Sequence, residues 1–308
     1  SLQFEPQYNL VVLQYLKFLP DGEISVEVLE NKVIIHGADG GKFVASTPST
    51  ESFNIPGPKE YDQSVSVEGW KLKDALSTAL AFTGEEGRYA LSCIFFRADK
   101  NLSAYSSDGR FAFRSIVARD LMFVEDEDPY IGSVHSMHAK TICRLISPDV
   151  TYTLKLGKNS IQITGDNLEY SFMLFNANPP NALYDMFDRV QAKYLFNVSP
   201  ITLIESLNRV YSVGGVKEPG VIAELNKGCD LQLLKSEGAE LTSDTSCPVE
   251  YSGDEKLRWR FNWQAIMPAL NLFKNASEIT VKVDNDQRSH MIIPCGEHTF
   301  FGCKMQLG

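Results

Sequence analysis

The chain has 308 residues, 44% hydrophobic and 11% aromatic, which is apolar material for two or three globular cores. Its longest apolar stretches, such as residues 142–146 and 291–294, fall far short of the ~20 residues that span a bilayer, and no basic region leads into an apolar one at the start, so no membrane span or secretion signal is legible and a cytoplasmic location is expected. The net charge of −10, from 39 acidic and 29 basic residues, argues against a surface that grips phosphate everywhere; contact with nucleic acid requires that the charge be segregated.

In chain order, the first elements are an apolar, helix-like segment Leu16-Lys-Phe-Leu-Pro-Asp-Gly22, a strand from Glu23 to Val28 that alternates apolar and polar residues, and a second strand Lys32-Val-Ile-Ile-His36. The stretch 47–58 is rich in proline, serine and glycine and reads as a linker. Next, Ser66-Val-Glu-Gly-Trp-Lys-Leu-Lys-Asp-Ala-Leu76 reads as a strand end, a turn and an amphipathic helix. The strands Arg88 to Phe96 and Leu102 to Ala112 follow, the second containing the turn Ser107-Asp108-Gly109. Beyond these, Cys143-Arg-Leu-Ile-Ser-Pro-Asp149 leads into strands from Val150 and Ser160, repeating the pattern of the first element.

The same units then recur. Asn197-Val-Ser-Pro-Ile-Thr-Leu-Ile-Glu-Ser-Leu207 aligns without a gap on 66–76, and its apolar positions coincide: Val67 with Val198, Trp70 with Ile201, Leu72 with Leu203, Leu76 with Leu207. Those positions are expected to share one buried helix face. A last helix-like segment through Leu270 and Phe273 precedes strands from Glu278 and Ser289, and Pro268 is expected to break or kink that helix. A period near 130 residues is too long for a solenoid and implies tandem copies of a whole domain. The implied domains are 1–62, holding only the second half of a first copy, then 63–192 and 193–308. The fold class is α+β, about two and a half tandem copies, each with two helices packed on antiparallel sheet.

Three local words carry a resemblance. Arg88-Tyr-Ala-Leu-Ser-Cys-Ile-Phe-Phe96, Leu102-Ser-Ala-Tyr-Ser-Ser-Asp-Gly-Arg-Phe-Ala112 and the closing Phe300-Phe-Gly-Cys-Lys-Met-Gln-Leu307 resemble the corresponding strands of the bacterial DNA sliding clamp, the β subunit of DNA polymerase III. The chain departs from the pattern at Arg110, Phe111 and Ala112, and at Lys304 and Gln306.

The resemblance implies the DNA clamp fold, no catalysis and no cofactor, and a protein that encircles duplex DNA without reading its sequence. Its expected partners are duplex DNA, the replicative polymerase, the clamp loader and other proteins carrying clamp-binding peptides. A head-to-tail homodimer is expected to close the ring. It assigns Lys17, Lys71, Lys73, Lys140, Arg144, Arg209 and Lys274 to the DNA-facing helices, where weak phosphate contacts permit sliding. It assigns Leu91, Ser107, Gly109, Arg110, Phe111, Pro180, Phe301, Met305 and Leu307 to a peptide pocket, and Phe43, Ala45, Ser212 and Val213 to the dimer interface. The alternative is a clamp-fold adaptor or competitor that binds clamp partners without closing a ring.

An enzyme is disfavoured. His135-x-x-His138 and Cys295-x-x-His298-x-x-x-x-Cys303 have spacings a metal could use, but no second ligand pair supports them, and no metal is expected. No phosphate-cradling glycine motif or nucleophile elbow occurs. The six cysteines include no Cys-x-x-Cys pair and read as reduced, mostly buried thiols.

Overall fold

The computed structural model describes residues 15–29, 32–46, 61–84, 90–121, 129–180, 182–189, 192–212, 220–226, 230–237, 241–251, 256–284 and 290–303. The chain divides into two compact units, Ser1–Lys59 and Glu60–Gly308.

In the first unit, β1 (Ser25–Leu29), β2 (Lys32–His36) and β3 (Lys42–Ser46) form an antiparallel sheet in that order. The period-two alternation of β2 buries Val33 and Ile35 against Tyr15, Leu16 and Phe43. The linker expected at 47–58 lies outside the described residues.

The second unit contains the same succession twice. The first copy runs β4 (Tyr61–Glu68), α1 (Gly69–Ala81), β5 (Cys93–Ala98), β6 (Leu102–Ser107), β7 (Phe111–Ala118), β8 (Tyr130–His135), α2 (Ser136–Leu145), β9 (Thr151–Gly157), β10 (Ser160–Gly165) and β11 (Leu168–Met173). After the short α3 (Met186–Arg189), the second runs β12 (Ala192–Val198), α4 (Pro200–Ser212), β13 (Gly220–Asn226), β14 (Asp230–Glu237), β15 (Leu241–Pro248), β16 (Glu250–Tyr251), β17 (Leu257–Asn262), α5 (Trp263–Leu272), β18 (Ile279–Asp284), β19 (His290–Cys295) and β20 (His298–Cys303). Pairing repeats with the succession: β4 lies antiparallel to β9 with Val67 opposite Tyr152, and β12 lies antiparallel to β18 with Val198 opposite Ile279.

The copies are joined edge to edge. Strand β20 pairs with β7, Phe300 opposite Phe113 and Phe301 opposite Ala112, giving one sheet of nine strands in the order β16-β12-β18-β19-β20-β7-β6-β5-β8. Two four-stranded sheets, β11-β10-β9-β4 and β15-β14-β13-β17, complete the unit. Side-chain ties reinforce the seam: Arg119 Nε donates to Glu297 Oε1 at 3.1 Å, and His298 Nε2 lies 2.8 Å from Asp74 Oδ2. A single apolar core runs from Val65 and Leu72 in the first copy to Ile279 and Phe300 in the second.

The helices pack in pairs on this core. Helix α1 buries Leu72, Ala75, Leu76 and Ala79; α4 buries Leu203, Leu207 and Val210. Trp70 and Ile201, expected on the same face, are instead 50% and 53% exposed. They precede the first buried leucine by two residues, which turns them about 200° around the helix. Of the break or kink expected at Pro268, the break does not occur: α5 continues through it to Leu272. The proline is exposed while Ile266, Ala269 and Leu270 are buried, so core packing on the opposite face outweighs one missing backbone hydrogen bond.

Candidate nucleic-acid and partner-binding sites

The helix layer of the first copy carries most of the basic residues in question. Helix α2 contains no acidic residue; it buries Ala139 and Ile142 and exposes Met137, Lys140, Arg144 and Leu145 on the opposite face. His135 caps its start, with Nδ1 accepting from the Met137 N–H at 3.2 Å. Arg144, in the last turn, meets the negative end of the helix dipole. Helix α1 runs back against it: the Gly69 N–H donates to the Val150 carbonyl at 2.8 Å and the Trp70 N–H to the Pro148 carbonyl at 3.1 Å. This approach requires glycine at position 69, where a Cβ would fall 2.7 Å from the Val150 oxygen.

Lys73 Nζ donates to the Ile146 carbonyl at 3.3 Å, and Lys71 pairs with Glu68 at 2.7 Å. Among the described residues, Lys140 and Arg144 have no ion-pair partner. The second copy differs. Arg209 reaches its own helix neighbour Glu205 at 3.6 Å, α5 has no charged residue, and Lys274 stands exposed just beyond it. Lys17 is exposed in the first unit. Of the seven basic residues, Lys71, Lys73, Lys140 and Arg144 therefore share one helix pair, and the others stand apart.

The residues expected in a peptide pocket fall into two groups. In the turn between β6 and β7, Asp108 Oδ1 accepts from the Arg110 and Phe111 N–H groups, both at 2.8 Å. Ser107 Oγ donates to the Phe111 carbonyl at 2.6 Å and accepts from the Gly109 N–H at 3.0 Å. Gly109 has φ +89°, and Leu91 Cδ1 lies 3.4 Å from where its Cβ would stand. Leu91, Ser107, Gly109 and Arg110 are thus together.

Pro180 belongs to the segment that covers the outer face of the nine-stranded sheet. Its carbonyl accepts from the Leu183 N–H at 3.0 Å, and Leu183 and Phe187 bury Phe301, Phe95, Tyr105 and Cys93. Two guanidinium groups close this cover, Arg97 at 5.0 Å from the Tyr184 ring and Arg114 at 5.1 Å from the Phe187 ring. Burial raises the Cys93 thiol to about 11, against a hydrogen bond with Ser92 that lowers it, so it stays protonated at neutral pH. Burial also raises the hydroxyls of Tyr184 and Tyr105 above their usual range.

Phe111, expected in the same pocket, points through the other face of the sheet and stacks on Phe300 at 5.8 Å in the main core. Strand alternation therefore separates Phe111 from Phe301 although β7 and β20 are neighbours. Met305 and Leu307 lie outside the described residues.

Of the expected interface residues, Phe43 stacks on Tyr15 of its own unit at 5.0 Å and Ala45 is buried. The exposed side chains of β3 are Lys42, Val44 and Ser46, and Val44, 51% exposed, is the apolar one among them. Ser212 is exposed, with Oγ donating to the Arg209 carbonyl at 2.8 Å, and Val213 lies outside the described residues.

The histidines with metal-like spacing do other work. His135 caps α2, His298 meets Asp74, and His138 Nδ1 lies 3.1 Å from the Tyr170 hydroxyl with its ring stacked on Phe172. Among the described residues no three or more His, Cys, Asp or Glu side chains converge on a metal position. The tie between His298 and Asp74, 224 residues apart, and the cover formed by Tyr184 and Phe187 had no sequence signal.

Two duplicated copies joined through a strand seam, with paired helices on one side of the sheets, define a clamp-fold protein. The solved structures agree. The β subunit of DNA polymerase III from Pseudomonas aeruginosa superposes with a TM-score of 0.78 at 18% identity, covering 96% of this chain and 81% of that one. The P. aeruginosa sliding clamp bound to griselimycin gives 0.77 at 17% identity, covering 96% and 80%. A β subunit described as putative, from Eubacterium rectale, gives 0.77 at 14% identity with the same coverage. The sequence matches no protein-family model and no curated protein sequence. The chain therefore has the DNA clamp fold with a widely diverged sequence.

Proposed function

We propose that the chain is a sliding clamp, a ring that holds duplex DNA within its helix layer and tethers polymerase and other partners by short peptides. It is not an enzyme on this reading, and its two and a half clamp-type copies, the first present as its second half alone, divide at 62/63 and 192/193. One observation carries the proposal. Within the chain, the last strand of one copy, β20, is zipped to the inner copy's β7; among the described residues the corresponding strands β3 and β15 both lie at open edges of their sheets. Two chains can repeat between them the pairing each already makes within itself, which is how head-to-tail contacts close a ring. The basic residues of α1 and α2 then serve the phosphates.

A second reading is favoured by β11, which occupies the place of β20 in the first copy and forms an open edge among the described residues. A chain that leaves this edge unpaired could act as a clamp-fold adaptor. Sedimentation separates the two. A species of twice 34.4 kDa supports the ring, and a strict monomer at high concentration supports the adaptor. Griselimycin, held by the P. aeruginosa clamp, serves as a probe for the peptide site near Leu91, Gly109 and Pro180. Saturable binding that Leu91→Lys abolishes supports this assignment; binding that Leu91→Lys leaves intact removes it.

A further inference from the structure

Trp70 is half exposed, whereas Trp259 is buried and Trp263 packs on Tyr211 with ring centroids 4.0 Å apart. Its position is fixed by the two backbone hydrogen bonds from Gly69 and Trp70 to the turn that ends α2. Basic residues lie on both helices that meet there. Lys71 Nζ lies 5.4 Å from the indole and 2.7 Å from the exposed Glu68 carboxylate, an ion pair that a phosphate would have to displace; Lys73 is tied to the Ile146 carbonyl, and Arg144 is the next-to-last residue of α2. The duplication offers an internal comparison: Ile201 holds the same position in α4, is equally exposed, and is followed by Thr202 and Ile204 where α1 has Lys71 and Lys73. Aromatic ring and cations thus occur together in one copy and are both missing from the equivalent place in the other.

Cations alone are sufficient to follow a duplex backbone, whose bases present no free face. A flat ring among cations matches a strand whose bases are unpaired, because a base can stack on it while the flanking phosphates meet the cations. We propose that Trp70 is a stacking platform for an unpaired nucleobase, and that Lys71, Lys73 and Arg144 bind the adjoining phosphates of a DNA single strand. This deepens the DNA-binding reading above and rests on it for the location of the nucleic acid.

The test titrates the full chain with a fluorescein-labelled oligothymidylate and, separately, with a duplex of equal length, following anisotropy and tryptophan emission. The oligothymidylate is expected to quench the parent's emission and to bind Trp70→Ala roughly tenfold or more weakly. Trp70→Phe should retain binding but lose the quench, and Ile201→Ala should match the parent. Duplex affinity should be the same in all four proteins. If Trp70→Ala binds oligothymidylate like the parent, the platform is overturned while the duplex reading stands. Loss of duplex binding by the parent, with a Trp70-dependent response to oligothymidylate retained, would instead sink the duplex reading and keep the platform. A change of sedimentation in Trp70→Ala without change in oligothymidylate binding would assign Trp70 to a protein contact and overturn the proposal.

Discussion

Replacing Lys140 and Arg144 together by alanine tests the charge placement on α2. Both side chains are exposed and have no ion-pair partner among the described residues, so the substitution should cost little stability, within roughly 0.5 kcal/mol per site. Each phosphate neutralised contributes about −0.9 to the slope of log affinity against log salt, so losing two contacts should flatten the slope by about 1.8. Between 50 and 200 mM salt the parent should therefore lose roughly tenfold more affinity than the variant. Fluorescence anisotropy on a linear duplex, whose free ends a ring can thread, reads both slopes. Arg209→Ala serves as the comparison: Arg209 is already engaged with Glu205, so a smaller change is expected. Parallel slopes for the double variant and the parent would refute the assignment of this face to DNA.

Phe300 is fully buried at the seam, stacked on Phe111 and tilted against Phe82, so Phe300→Ala should destabilise the second unit by about 3–5 kcal/mol. At about 2–4 °C per kcal/mol, calorimetry should show Tm lowered by roughly 6–20 °C, and a shift below that range would mean that the seam is not packed as described. Val44→Asp places a charge on the open edge of β3 without disturbing the contact between Phe43 and Tyr15; sedimentation should show a weakened dimer, and an unaltered one would exclude this edge. Burial, and then the neighbouring His135, lower the pKa of His138 below its ordinary value, so the native state favours the neutral ring. That stabilisation is present above the unfolded pKa of about 6.5 and is lost as pH falls toward the folded value. Urea unfolding of His138→Phe should accordingly show a flatter decline in stability below about pH 6.5, and an identical decline would remove His138 as its source.

The duplication was legible because helices and strands of both copies had to bury the same faces. Leu72 with Leu203 and Leu76 with Leu207 recur because each fills the same place under its helix. Trp70 and Ile201 were misplaced because coincidence between copies records a shared position, exposed as readily as buried. Pro268 is a related case: the hydrogen bond it removes is local and visible in the sequence, whereas the burial of Ile266 and Leu270 opposite depends on tertiary packing. The candidate pocket was harder still. A list by position cannot say that Phe111 and Phe301, on neighbouring strands, lie on opposite faces, since that depends on the register of β7 against β20. Phe43 shows the same limit, because its partner Tyr15 lies in a helical turn whose docking on β2 and β3 no local pattern encodes.

Encirclement of the duplex is a topological property, and retention on DNA of defined ends reads it. The protein is crosslinked between β3 and β15 edges through engineered cysteine pairs, after incubation with a singly nicked circular plasmid, and the complex is washed at high salt. A ring that encircles the duplex should remain on the circle through the wash and should be released when a restriction enzyme linearises the plasmid. Release from the intact circle at high salt, or equal retention on circular and linear DNA, would contradict the account, since neither outcome requires the DNA to pass through a closed protein ring.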